Sequence, residues 1–66
     1  MRVLVVDDES DVTLVVGEAL RDRGHLVVVA STGQDAIEAA RTFQPEVALV
    51  DVGLPDIDGV TLAELL

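Results

Sequence analysis

Three short apolar runs alternate along the chain with three stretches whose apolar positions recur at helical spacing. Val3 to Val6 is a continuous run ended by Asp7 and Asp8. A run that is apolar at every position, not at alternate ones, predicts a strand covered on both faces, as in a parallel sheet. Leu26 to Ala30 and Val47 to Val50 repeat the pattern, and Asp51 closes the latter. In the first intervening stretch Val12, Val15, Val16, Ala19 and Leu20 fall on one face of a helix. Ser10 or Asp11 is its expected cap, Arg21 and Arg23 suit the negative end of its dipole, and Gly24 supplies the stop. The second helix follows the turn Ser31-Thr32-Gly33 and carries Ala36, Ile37, Ala40 and Phe43. Pro45 is expected to end it by forcing Gln44 into an extended conformation. A loop from Gly53 to Gly59 then leads into a third helix over Val60 to Leu66.

Strand and helix therefore alternate three times with short connections. This order predicts an α/β fold with a parallel sheet and right-handed crossovers. No internal repeat, low-complexity tract or linker interrupts it. The third helix reaches Leu65-Leu66 without a stop signal, so we expect the chain to belong to a longer one.

Composition narrows the chemistry. With 66 residues there is room for one small domain, of a size that buries only ~60% of its unfolded surface. Cysteine is absent, which excludes disulfides, cysteine zinc sites and thiol nucleophiles, and the lone His25 cannot build a zinc site by itself. His25 follows Gly24 at a helix-to-strand turn, so it is expected away from any site at the other end of the sheet. No apolar stretch approaches the ~20 residues that span a bilayer, and there is no signal-peptide pattern, so a cytoplasmic location is expected and no membrane partner. The net charge of −9 argues against nucleic-acid binding through this segment. All four basic residues are arginines and lysine does not occur.

The acidic residues fall where the strands end. Parallel strands direct their C-terminal ends to one edge, where open α/β sheets bind ligands. In the strand order 2-1-3 the first and third strands are neighbours, and Asp7, Asp8 and Asp51 share a crevice. Three adjacent carboxylates repel unless some protonate or a cation neutralises them. Mg²⁺ suits such a set, since it takes one or two carboxylates together with waters and phosphate oxygens. Glu9, Asp11, Asp56 and Asp58 are adequately explained as solvated rim and helix caps.

Those residues carry a family resemblance. Val5-Val6-Asp7-Asp8-Glu9 resembles the acidic pair of two-component response regulator receiver domains. Leu49-Val50-Asp51-Val52-Gly53-Leu54-Pro55-Asp56-Ile57-Asp58-Gly59 resembles their phosphoacceptor loop, D-x-x-L-P-x-x-x-G. Gly24-His25 and Gly33-Gln34-Asp35-Ala36 are similar to family segments as well, so the resemblance covers the whole chain. It implies a flavodoxin-like (CheY-like) sheet. It also implies that Asp51 accepts a phosphoryl group from a histidine kinase or phosphotransfer protein. By the same resemblance Asp8 would bind Mg²⁺ directly, Asp7 would act mainly through water, and the Gly53 backbone carbonyl would be a further ligand. Leu54-Pro55 would fix the loop path and Gly59 would permit the turn into the third helix.

Receiver domains have five strands in the order 2-1-3-4-5, so residues 1–66 are expected to be a partial receiver truncated to β-α-β-α-β-α. A fourth strand with its terminal Ser or Thr, a fifth with its Lys, and an aromatic switch residue would lie outside it. Such a segment is expected to bind Mg²⁺ weakly at best and not to switch by itself. Its third strand would be an open edge that invites self-association. Two other readings remain at this point. One is a degenerate receiver that serves dimerisation. The other is an enzyme with a metal-carboxylate site, although a haloacid-dehalogenase-like phosphatase wants D-x-D after the first strand, and a Toprim domain wants D-x-D directly ending the third.

Overall fold

A computed structural model describes residues 1–66. The elements are β1 (Arg2–Val6), α1 (Ser10–Asp22), β2 (Leu26–Ala30), α2 (Gly33–Phe43), β3 (Val47–Val50) and α3 (Gly59–Leu65). The three strands are parallel in the order β2-β1-β3, which is the truncated flavodoxin-like arrangement expected. Val6 is in register with both Ala30 and Val50, so all three strands end at the same level.

Side chains alternate across the sheet. On one side Leu4, Val6 and Ala30 join Ala36 of α2, Leu62 of α3 and Leu54 of the β3–α3 loop in a single buried cluster. Leu4 and Leu62 are completely buried, each contributing on the order of 1.5–3 kcal/mol by removal from water. On the other side lies α1.

The expected face of α1 is only partly the one that packs. Thr13 and Gly17 are buried, Val16 and Leu20 are half-buried, and Val12, Val15 and Ala19 are exposed. The small residues let the helix lie close to the sheet: a Cβ at Gly17 would meet Val29 Cγ1 at 3.8 Å. Val12 borders a groove shared with Leu49 of the sheet, and Val15 faces outward. The cap also differs. Glu9 occupies the capping position without a side-chain hydrogen bond, so neither Ser10 nor Asp11 caps α1. The start of the helix is braced instead by Asp7, whose Oδ1 accepts from the Glu9 N–H at 2.9 Å.

Gln44 is not extended as Pro45 predicted. It adopts the left-handed conformation, φ 51°, with its N–H donating to the Ala40 carbonyl. This closes α2 as a terminal turn, and the Gln44 carbonyl in turn accepts from Arg2 Nε at 2.9 Å. The N-terminal edge of the sheet is further tied by the Arg2 N–H donating to Glu46 Oε1 at 2.9 Å. His25 Nδ1 lies 3.0 Å from the Met1 ammonium, at this edge as expected.

Candidate functional site

The backbone at the C-terminal edge is fixed before any side chain is considered. Beyond the last paired residues, the Asp7 N–H donates to the Ala30 carbonyl at 3.1 Å and the Asp51 N–H to the Val6 carbonyl at 2.8 Å. These two bonds extend the ladders by one residue and hold Asp7 and Asp51 side by side. Asp8 follows as the chain turns towards α1. Carboxylate oxygens of Asp7, Asp8 and Asp51 all lie within 4.8 Å of one another, with Asp7 and Asp51 half-buried and Asp8 exposed. The crevice inferred from the strand order is therefore present.

Asp7 and Asp51 also stand at the polar end of a groove of about 230 Å³ walled by Val12, Val16 and Leu49. The chain supplies no cation there. Its one ion pair, Arg2 with Glu46 at 3.8 Å, is at the opposite edge of the sheet, and the Arg21 guanidinium donates to the Val27 carbonyl. Two like charges ~4 Å apart repel by ~1 kcal/mol in water and ~4 kcal/mol near a protein surface. An oxygen-seeking divalent cation answers that repulsion, and the all-carboxylate donor set fits a hard ion.

The loop after Asp51 is held at several points. Asp51 Oδ1 accepts from the Gly53 N–H at 3.2 Å, which draws the loop start back over the carboxylate. Leu54 is buried in the core. Gly59 lies so close to the loop start that a Cβ there would be 2.5 Å from Val52 Cα and 2.6 Å from the Asp51 carbonyl oxygen. Gly59 is thus required for close backbone approach, not for a special turn conformation, since its φ is not positive. It also opens α3, one residue earlier than expected.

Asp56 and Asp58 are both engaged with helices. Asp58 caps α3, accepting from the Val60 N–H and the Thr61 hydroxyl at 3.3 and 3.2 Å. Asp56 instead reaches α2, where its two oxygens accept from the Gly33 and Gln34 N–H groups at 2.7 and 3.0 Å. Those donors hold its carboxyl below the ordinary value of 3.8. The D-x-D spacing of these residues is therefore spent on helix ends. Sequence reasoning saw Asp56 as a cap but not which helix it caps. Glu9 is exposed and Asp11 sits exposed in the first turn of α1.

Residues 3–66 match the model of the response regulator receiver domain. The chain belongs to this family. Among its relatives, the transcriptional regulatory protein KdpE of Mycobacterium tuberculosis is 43% identical over 58 residues, covering 88% of this chain and 26% of the relative. The alkaline phosphatase synthesis transcriptional regulatory protein PhoP of Bacillus subtilis is 35% identical over 98% of this chain and 27% of its own. A protein-glutamate methylesterase/protein-glutamine glutaminase of Archaeoglobus fulgidus is 40% identical over 100% of this chain and 19% of the relative. The solved receiver domain of a putative LuxO repressor protein from Vibrio parahaemolyticus superposes with a TM-score of 0.87 at 27% identity, covering 96% of this chain and 48% of that one. This receiver chain thus spans about a quarter of the length of the regulators it resembles and about half of the solved receiver domain. It is a signalling segment of two-component response regulators, and none of its helices is long and apolar enough to cross a membrane.

Proposed function

We propose that Asp51 is the phosphoacceptor of this receiver chain and that Asp7, Asp8 and the Gly53 backbone carbonyl, with Asp51, hold a Mg²⁺ beside it. The observation that carries this reading is the gathering of three carboxylates from the ends of β1 and β3 within 4.8 Å. Asp51 is half-buried on a backbone fixed by the sheet, so one carboxylate oxygen can meet a phosphorus atom in line without rearrangement of the chain. In the transfer an Asp51 oxygen bonds to phosphorus as the phosphorus–nitrogen bond of a donor phosphohistidine breaks. The nitrogen keeps the electron pair, and the product is an acyl phosphate. Mg²⁺, when bound, supplies positive charge against the phosphoryl oxygens and the crowded carboxylates. Asp8, the exposed member, offers the most accessible direct ligand, and Asp7, tied to the Glu9 N–H, acts mainly through water.

The donor is a histidine kinase or phosphotransfer protein. The segment is shared by relatives named as transcriptional regulators and by one named as a methylesterase, so it carries acceptor chemistry common to different outputs. On this reading residues 1–66 form the first three strand–helix units of a receiver, with the hydroxyl and lysine of its later strands contributed by further sequence. Acetyl phosphate with Mg²⁺ should add one phosphoryl group to the full-length protein, and Asp51→Asn should abolish the addition, as read by intact mass. Equal labelling of the variant would refute the assignment.

A second reading has its own observation. β3 is an edge strand with Val47 39% and Leu49 45% exposed, a surface that pairs readily with another chain. A scaffold serving only dimerisation would self-associate through this edge yet show no saturable Mg²⁺ site.

A further inference from the structure

The β3–α3 loop is joined to α2 by a carboxylate that the acceptor chemistry does not use. Asp56 spans 22 and 23 residues of sequence to accept two successive backbone N–H groups at the first turn of α2, from Gly33 at 2.7 Å and Gln34 at 3.0 Å. The contact is close-fitting as well as polar: a Cβ on Gly33 would overlap the Ile57 methyl group, and Gly33 is buried. Yet α2 already has a cap of its own, since Thr32 Oγ1 accepts from the Asp35 N–H at 3.1 Å. The two caps serve different donors, Thr32 the Asp35 N–H and Asp56 the Gly33 and Gln34 N–H groups, and of the two only Asp56 ties the helix to a distant segment. Between Asp51 and Asp56 the chain has only Leu54 sunk in the core, while Val52, Gly53 and Pro55 are exposed. Asp51 anchors that stretch at the sheet and Asp56 anchors it at the helix, with buried Leu54 between them.

We propose that Asp56 is a positioning residue: its carboxylate clamps the acceptor loop to the start of α2 and so holds the Gly53 carbonyl and Asp51 in the arrangement that binds Mg²⁺. The inference rests on the acceptor-site reading above. Gly33 is the other half of the device, because only a residue without a side chain lets the loop approach both N–H groups. The clamp is charge-assisted, which makes each bond stronger than a neutral one. Thr32, immediately before Gly33, caps the helix without a hydrogen bond to the loop.

The test is Mg²⁺ titration of the full-length protein, followed by amide chemical shifts at a temperature where every variant retains the wild-type circular dichroism. Asp56→Ala should weaken Mg²⁺ binding about tenfold, the low end of what loss of a supporting partner costs a metal site. Asp56→Asn, which keeps the shape and one acceptor, should fall between the two. Thr32→Ala should leave Mg²⁺ affinity at the wild-type value even though it removes the local cap of the same helix. Equal affinity in wild type and Asp56→Ala would overturn the clamp while leaving the acceptor site standing. Parallel losses in Asp56→Ala and Thr32→Ala would overturn it too, by showing that any weakening of α2 has the same effect. A wild-type protein without a saturable Mg²⁺ site overturns the metal reading, and the clamp with it.

Discussion

β1 and β3 are written in nearly the same letters and end in the same residue type, yet they live in different surroundings. Val3, Leu4, Val5 and Val6 are between 0% and 4% exposed, whereas in β3 Val47 is 39% and Leu49 45% exposed. A continuous apolar run predicts a strand covered on both faces, and that holds for β1 alone. The difference is one of position. Within residues 1–66, β1 has a strand on either side and a helix on either face, whereas β3 pairs with β1 alone. Hydrophobic content states what a strand is suited for. Neighbours decide whether it is used.

The comparison breaks most visibly at the core. Leu4→Ala should destabilise the chain by ~2–5 kcal/mol, the usual result of emptying a fully packed site, while Leu49→Ala, at a site about half exposed, should cost only ~1 kcal/mol. Urea denaturation of the two variants measures both. Comparable losses would mean that β3 is as well covered as β1. Gly59→Ala comes next, at ~1–3 kcal/mol, because the backbone at Asp51 and Val52 must move to admit the methyl group. The same variant should lower phosphorylation by acetyl phosphate, since the displaced carbonyl belongs to Asp51.

The open edge gives a third outcome. For the 66-residue chain the melting temperature should rise with protein concentration as β3 edges pair, and Leu49→Lys should remove that dependence. A sharp transition of a monomer, independent of concentration, would show the edge to be inert. Smallest is a pH effect. The Gly33 and Gln34 N–H groups depress the Asp56 carboxyl, so its contribution to stability is complete above the ordinary carboxyl value of 3.8 and is lost as pH falls through the lower folded value. Asp56→Asn should therefore flatten the acid limb of a stability–pH curve below about pH 4 by lowering stability at neutral pH, and leave strongly acid pH little changed.

The gathering of the three carboxylates at the candidate site could be read from the chain because it follows from local rules. Asp7, Asp8 and Asp51 terminate apolar runs, and parallel strands in register place the ends of such runs together. Thr32 and Gly24 follow from capping and stop preferences that act over a few residues; Gly24 takes a positive φ of 89° as a helix stop does. What escaped was non-local. Gln44 adopts the left-handed region where Pro45 favoured an extended one, since its N–H and carbonyl find partners on Ala40 and Arg2. The packed face of α1 shifted onto Thr13 and Gly17, because contact with a sheet rewards close approach as well as apolar surface. Asp56 lies beside Asp58 in a run of turn residues, and no local signal points one of them to a helix more than twenty residues earlier.

Periodicity and the residues that interrupt it determined the elements, their parallel arrangement and the three carboxylates, since each depends on short-range backbone preference and on which side chains avoid water. Only the tertiary structure decided that one of two similar strands is buried and the other open, that Gly59 must be small, and that a loop carboxylate spans from β3 to α2. Those outcomes depend on what packs beside a residue in space, and spacing along the chain does not carry that information.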